Sequence, residues 1–440
     1  MAATAPRDAS HASGTLERAE ALRVTNPAVA TQSIFAAAVL GDADGIRHFL
    51  DRDAATAVAA GGPHGWDALT YLCFSRYLRL DRARSEGFVH AAVLLLDAGA
   101  NPNTGWVDQS HQPRPEWESA IYGAAGIAHH AGLTKLLLER GADPNDEETP
   151  YHAGETHDNR ALRVLVESGK LNRDSLATIL LRKADWHDHA AILWLLELGV
   201  DPNHRGRWEF SALQQAVRRD NALETIDLLL DRGADATQAT GGISAIAIAA
   251  RRGRADVLRS FARRGVSLGL TGTDALLAAC ALHDPAAIRA IAEHDPASIE
   301  AVRAHGGQPL AEFAGTWNAA GVKSLLDLGV PVNARFALGD GYWGVAREST
   351  ALHVAAWRAA PHVVKLLIEH GADVHVVDAA GRTALDLAVK ACVDSHWTER
   401  RSPDSVRLLL AAGARADAVA FPSGYADVDR LLEAARSRPT

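Results

Sequence analysis

Three cysteines stand in 440 residues, Cys73, Cys280 and Cys392. They are too few and too far apart for a disulfide framework, and read as small buried residues of a protein in a reducing, cytoplasmic compartment. Basic residues are also short, 45 Lys and Arg against 54 Asp and Glu, for a net charge of −9. That balance argues against nucleic acid as the main partner. No apolar run reaches the length that crosses a bilayer, about 18 residues or more, so no membrane span is expected. Residues 1–31 are rich in Ala, Ser and Thr and lack the apolar stretch of a signal peptide. They read as a flexible tail with at most a short helix from Leu16 to Val24. No H-E-x-x-H is present, so no metal site or catalytic residue is assigned and no cofactor is expected. What is plentiful is apolar side chain, 48% of the chain, ample for a continuous core.

That apolar content is arranged periodically. Ser349 to Leu387 reads STALHVAAWRAAPHVVKLLIEHGADVHVVDAAGRTALDL. Thr350 can cap a helix. Leu352, Ala355 and Ala356 fall on one helical face, and Val363, Leu366 and Leu367 on the face of a second helix. Gly371 can then take the left-handed conformation that ends a helix. The same glycine recurs at 99, 141, 199, 233, 265, 329, 371 and 413, in steps of 42, 58, 34, 32, 64, 42 and 42. Steps of 32 and 34 are single units. Steps of 58 and 64 are pairs with a degenerate middle, which Gly169 marks in the first.

Thr350-Ala351-Leu352-His353 and Gly371-Ala372-Asp373 resemble the T-P-L-H and helix-ending turn of the ankyrin repeat, a unit of about 33 residues. The resemblance covers nearly everything after residue 32. It implies an all-α solenoid of eleven or twelve helix-turn-helix units over 32–436, with short β-hairpin fingers. Inserts fall near 104–118, 334–348 and 391–403. The first two occupy finger positions and carry Trp106, His111 and Trp117, then Phe336, Tyr342 and Trp343.

Two enzyme-like patterns are present. Gly339 to Gly344 fits G-x-G-x-x-G, but it lies in a finger and is not set between a strand and a helix. Gly265 to Gly269 fits G-x-S-x-G, yet Gly265 is a helix-ending glycine, not part of a nucleophile elbow. A denser cluster lies between 129 and 189: His129, His130, His152, His157, His187 and His189, with Glu148, Glu155, Asp158, Asp185 and Asp188. Such residues can order turns, line a binding groove, or serve as metal ligands or acid–base groups. Here, too, Pro150, Tyr151 and His152 replace the usual Leu and Ala. Local pattern tends to fail at functional or strained sites.

The expected binding residues are therefore Trp66, Tyr77, Trp106, Trp117, His129, Glu148, Tyr151, His152, His157, Arg182, Trp186, His187, Trp343 and Trp357. Their aromatic members are either interface anchors or side chains that the inserts bury. The resemblance implies a non-catalytic scaffold that holds a protein or peptide in a concave groove. The rival is an ankyrin-fold enzyme or small-molecule receptor, with a pocket at 147–189 and acid–base work by His152, His157 or His187.

Overall fold

The computed structural model describes residues 4, 14–110, 114–394 and 400–437. His111 and part of the third insert lie outside them. The chain is 59% helix and 5% strand, and the fold is all-α. It divides into two compact units, Met1–Asn221 with Leu228–Ala234, and Ala222–Asp227 with Asp235–Thr440.

The first unit begins with α1, Glu17–Thr25. Helix pairs follow: α2 Ile34–Leu40 with α3 Ala43–Arg52, then α4 Ala68–Cys73 and α5 Arg76–Leu80 with α6 Ser85–Asp97. Next come α7 Ala120–Tyr122 with α8 Ala131–Glu139, α9 Glu148–Ala153 with α10 Arg160–Glu167, α11 Arg173–Asp185 with α12 His189–Glu197, and α13 Ala212–Arg218. α14, Leu223–Asp231, is shared between the units. The second unit holds α15 Ala245–Arg251 with α16 Ala255–Arg263, α17 Gly272–Leu282 with α18 Pro285–His294, and a single α19, Pro296–His305. It continues with α20 Gly307–Gly315 and α21 Ala319–Asp327, α22 Ala351–Trp357 and α23 Pro361–Glu369, α24 Ala384–Val393 and α25 Asp404–Ala411, and ends with α26, Ala426–Arg436.

Within the first unit the inner helices α2, α4, α7, α9, α11 and α13 contact in series. The outer helices α3, α6, α8 and α10 do the same. A helix of two turns cannot bury its own apolar stripe, so each layer serves as core for the next. Fully buried alanines such as Ala37, Ala38, Ala124 and Ala125 let the inner helices approach closely.

Local rules fix the ends. Ser33, Asp67, Ser119 and Ser211 cap inner helices by accepting a backbone N–H two or three residues into the turn. Gly99 has φ of 97°, and Gly99 and Ala100 N–H bond back to Leu96 and Leu95 carbonyls, the paired helix-ending bonds that a left-handed residue permits. The Asn that follows each such turn then ties repeats together. Asn103 donates to Gly141 O, Asn145 to Lys170 O and Asn203 to Gly233 O, at 2.8–3.1 Å. In the second unit His353 Nδ1 accepts from Thr350 N–H at 3.2 Å, and its Nε2 reaches Arg382 O at 3.0 Å. That explains why a His follows Thr by three residues.

Both fingers are antiparallel hairpins: β1 Gly105–Asp108 with β2 Glu116–Ser119, and β5 Arg335–Phe336 with β6 Ser349–Thr350; a third, shorter hairpin pairs β3 Ala239–Thr240 with β4 Ile243–Ser244. Gly339 and Gly344 are turn glycines with φ of 64° and 68°.

Several expectations need correction. The short helix expected over Leu16 to Val24 is present as α1, but a 3-10 turn, Pro27–Thr31, follows it where only tail was expected. The inner segment Tyr71 to Leu80 is not one continuous helix, because Ser75 caps α5 and donates to Val39 O. α19 is an additional helix. The repeat also slips there. Thr316 Oγ1 and Asn318 Nδ2 bond the carbonyls of Arg252 and Gly253, and Arg252 meets Glu312 at 2.9 Å. The α20–α21 pair thus reaches past α17 to the turn after α15.

Gly253 is the close-approach point. Its φ is 71°, and an added Cβ would stand 2.4 Å from the Phe313 ring. Gly413 has φ of 92° but open space around it. Gly413→Ala should cost about 1 kcal/mol from the left-handed backbone alone. Gly253→Ala should cost about 1–3 kcal/mol more from overpacking. Urea denaturation of the two variants checks the difference.

Candidate functional site

α9 is where the repeat pattern gives way to chemistry. Its sequence, Glu-Thr-Pro-Tyr-His-Ala, tolerates Pro150 because the first helical turn has no partner for that N–H. Gly154 ends it. A Cβ on Gly154 would stand 2.9 Å from Arg182 Cβ, so the glycine lets α11 close against α9. Gly126 plays the same part on the other side, 3.0 Å from His152 Cβ by the same measure.

This closeness assembles a chain of charges across the inner helices. His152 Nε2 lies 3.0 Å from Glu148, and its Nδ1 lies 2.7 Å from Glu155. Glu155 also accepts from Arg182, which donates in addition to Asp185. Asp185 accepts from Gln215 and, at 2.7 Å, from Arg219 Nε. Burial disfavours a charged His152, but its two carboxylates overcome that and raise its pKa to about 9. Glu155 is only partly buried, and against the desolvation it does suffer His152 and Arg182 hold it below the usual carboxylate range. Every buried charge in the row is paired, as its burial demands.

Above this row lies an aromatic wall. The Arg182 guanidinium carbon sits 3.9 Å from the Tyr151 ring centre, and the Trp208 ring lies 4.9 Å from Tyr151. Arg207 donates to Glu116 of β2 at 2.9 Å and to Glu147. The loop before α13 is thereby drawn back to the first finger. Tyr151, Arg182, Asp185, Trp208, Phe210, Arg218 and Arg219 enclose a cavity of about 200 Å³. Trp208 is 40% exposed. Among the described residues, neither the Tyr151 hydroxyl nor the Trp208 indole N–H has a hydrogen-bond partner.

The remaining expected residues have separate fates. Trp66 stacks on Trp106 at 5.1 Å and on His64 at 4.4 Å. Strand alternation turns Trp106 inward and leaves Trp117 exposed on the opposite face of the hairpin. Tyr77 is not on an open surface, because its hydroxyl donates to Glu20 of α1 and its side chain is buried. His129 is a left-handed turn residue (φ 48°), and burial lowers its pKa. His130 is structural: it caps α8 through Leu133 N–H and meets Ser85 at 2.6 Å. His157 is exposed, edge-on to Trp186 at 5.6 Å, and His187 is an exposed turn residue with φ of 52°. Asp188 caps α12 and pairs with the fully buried Lys183 at 3.1 Å. Trp343 and Trp357 belong to the second unit and are buried there; Trp357 Nε1 donates to Trp343 O at 2.6 Å, and Arg358 covers the Trp343 ring. They are core of the second finger, not exposed anchors.

Sequence reasoning missed Trp208, Phe210, Arg207, Gln215, Arg218 and Arg219. The step from Gly199 to Gly233 is a normal 34, so nothing in the spacing marks the loop. Its one signal is Arg-Trp-Glu-Phe just before the Ser211 cap.

A His whose folded pKa exceeds its unfolded value of about 6.5 stabilises the fold most where both states are protonated. The His152 contribution is therefore complete below about pH 6.5 and fades as the pH rises through about 9. The melting temperature of the wild type should fall over that window. In His152→Gln the fall should be much smaller, which thermal denaturation at successive pH values checks.

A family model for ankyrin repeats in many copies matches residues 345–388. Among solved structures, the ankyrin repeat domain of Bcl-3, described as a unique member of the IkappaB protein family, is 21% identical. The match covers 52% of this chain and 96% of that one, with a TM-score of 0.24. No curated protein matches the chain. The chain thus carries ankyrin repeats at residues 345–388, and its stacked helix pairs, left-handed glycine ends and Thr350–His353 cap are similar to that repeat.

Proposed function

We propose that the chain is a protein- or peptide-binding scaffold whose working surface is the inner-helix face around Tyr151, Arg182 and Trp208. The observation that carries this reading is the aromatic cavity with uncommitted hydrogen-bonding groups. Tyr and Trp bury much area at small entropic cost, and they anchor interfaces when their polar ends find partners. Trp186 and Trp117, 37% and 45% exposed, extend the aromatic surface beyond the cavity. The charge row beneath holds Tyr151 and Arg182 in place, and a rigid anchor costs less to order on binding.

Size favours a partner's side chain over a free substrate. A cavity of about 200 Å³ is smaller than the roughly 300–1,000 Å³ of pockets that enclose a drug-sized ligand. Acid–base work by His152 is disfavoured because both of its nitrogens are engaged by carboxylates and its side chain is buried. The reading of a small-molecule receptor keeps one supporting feature, the uncommitted Tyr151 hydroxyl. Buried free thiols at Cys73, Cys280 and Cys392 support a reducing, cytoplasmic setting. No described helix is long and apolar enough to cross a membrane.

Trp208→Ala and Tyr151→Ala should each weaken capture of a protein partner from the source cell by at least about tenfold, with helicity unchanged. Trp343→Phe, in the second finger, should leave capture intact. Affinity capture with quantitative mass spectrometry reads all three. Unaltered capture by both first-unit variants would remove the proposal.

A further inference from the structure

We infer that the first unit carries a second, separate site, for a small uncharged apolar molecule, between α1 and the first helix pairs. A cavity of about 260 Å³ lies there, walled by Leu22 of α1, Val29, Phe35, Ala36, Val39 and Tyr71. Well-packed interiors leave few voids larger than a water molecule. A dry cavity of about 150 Å³ is enough to hold benzene, and pockets for drug-sized ligands begin near 300 Å³. Scaling from benzene's six carbons, this volume takes about ten.

The helix that covers the cavity is not seated as core. Of its nine residues only Ala19 is buried, and Leu22, facing the cavity, is 50% exposed. The cavity therefore reaches solvent beside Leu22. α1 is tied down by polar contacts at its edge: Tyr77 donates to Glu20, and Arg23 pairs with Glu20 at 2.8 Å. The lining offers no unmatched charge. The Tyr71 hydroxyl accepts from His64 N–H at 2.7 Å and donates to Gly61 O at 3.2 Å. Arg23, the one charged residue of the lining, is already paired with Glu20 at 2.8 Å, so a carboxylate head group would have to displace Glu20 or lose water without gaining a partner. Ser33 lines the same cavity. Its oxygen accepts from Ala36 N–H, which leaves its proton to donate to one ligand oxygen. The chemistry that fits is a chain or ring of about eight to ten carbons with a single neutral oxygen.

The probe is 1-nonanol, titrated into the full chain by calorimetry and by thermal melting, with nonanoate as the charged comparison. Saturable one-to-one binding of nonanol is expected, with a raised melting temperature and at least tenfold weaker binding of nonanoate. Ala36→Phe fills the cavity and should abolish nonanol binding while circular dichroism is kept. Val29→Phe, at a half-exposed position outside the helix pairs, should do the same where Ala36→Phe is poorly folded. Trp208→Ala should bind nonanol as the wild type does, which separates this site from the partner surface. Absence of saturable nonanol binding, equal binding of nonanoate, or undiminished binding by the folded filling variants would overturn the inference.

Discussion

A helix of two turns exposes more apolar surface than it can bury by itself. Everything in this chain follows from that shortage. Each inner helix must lie against the next, so the repeat keeps small residues such as Ala37, Ala38, Ala124 and Ala125 where helices meet. Left-handed glycines end the helices, and the Asn of the next turn bonds across to the neighbouring repeat. The same economy explains why a local exchange of apolar for charged residues is conspicuous. At α9 the stack loses hydrophobic contact and gains a row of paired charges from Glu148 to Arg219.

That row is costly unless complete. A buried guanidinium or carboxylate left alone would be heavily penalised, and removal of one partner strands the next. Glu148, His152, Glu155, Arg182, Asp185 and Arg219 form an unbroken sequence of contacts. The arrangement fixes the Arg182 side chain, and through it the Tyr151 ring. Rigidity passes from electrostatics to an aromatic surface, and the surface is where a partner can gain from it. The Arg207 contacts to Glu116 and Glu147 add a clasp from the far side, so that Trp208 is held over Tyr151.

The fold was legible because its rules are local. Thr350 with His353, and the recurring helix-ending glycine, are each dictated by backbone geometry that any copy must satisfy. The site was legible only in part. Tyr151 and His152 stood out because they break an apolar period, Arg182 as a polar group on the inner-helix layer, and the structure brings all three together. Trp208 and Arg219 did not stand out, since they reach the cluster by a loop of ordinary length and by an inner helix of ordinary pattern. Trp343 and Trp357 were singled out by residue type, but burial is decided by how a finger folds back, which composition does not encode. Tyr77 was singled out as a polar group on the inner-helix layer, and α1 covers it. That helix carries only one buried residue, so its apolar pattern was too weak to announce that it covers anything.

The most direct test of the working surface is site-specific photo-crosslinking in the source cell. A photoreactive phenylalanine replaces Trp208 in one variant and Trp194, on outer helix α12, in another. The account predicts that position 208 forms a discrete adduct with the partner that the wild type captures, and that position 194 does not. Adducts of equal yield at both positions, or an adduct at 194 alone, would contradict it.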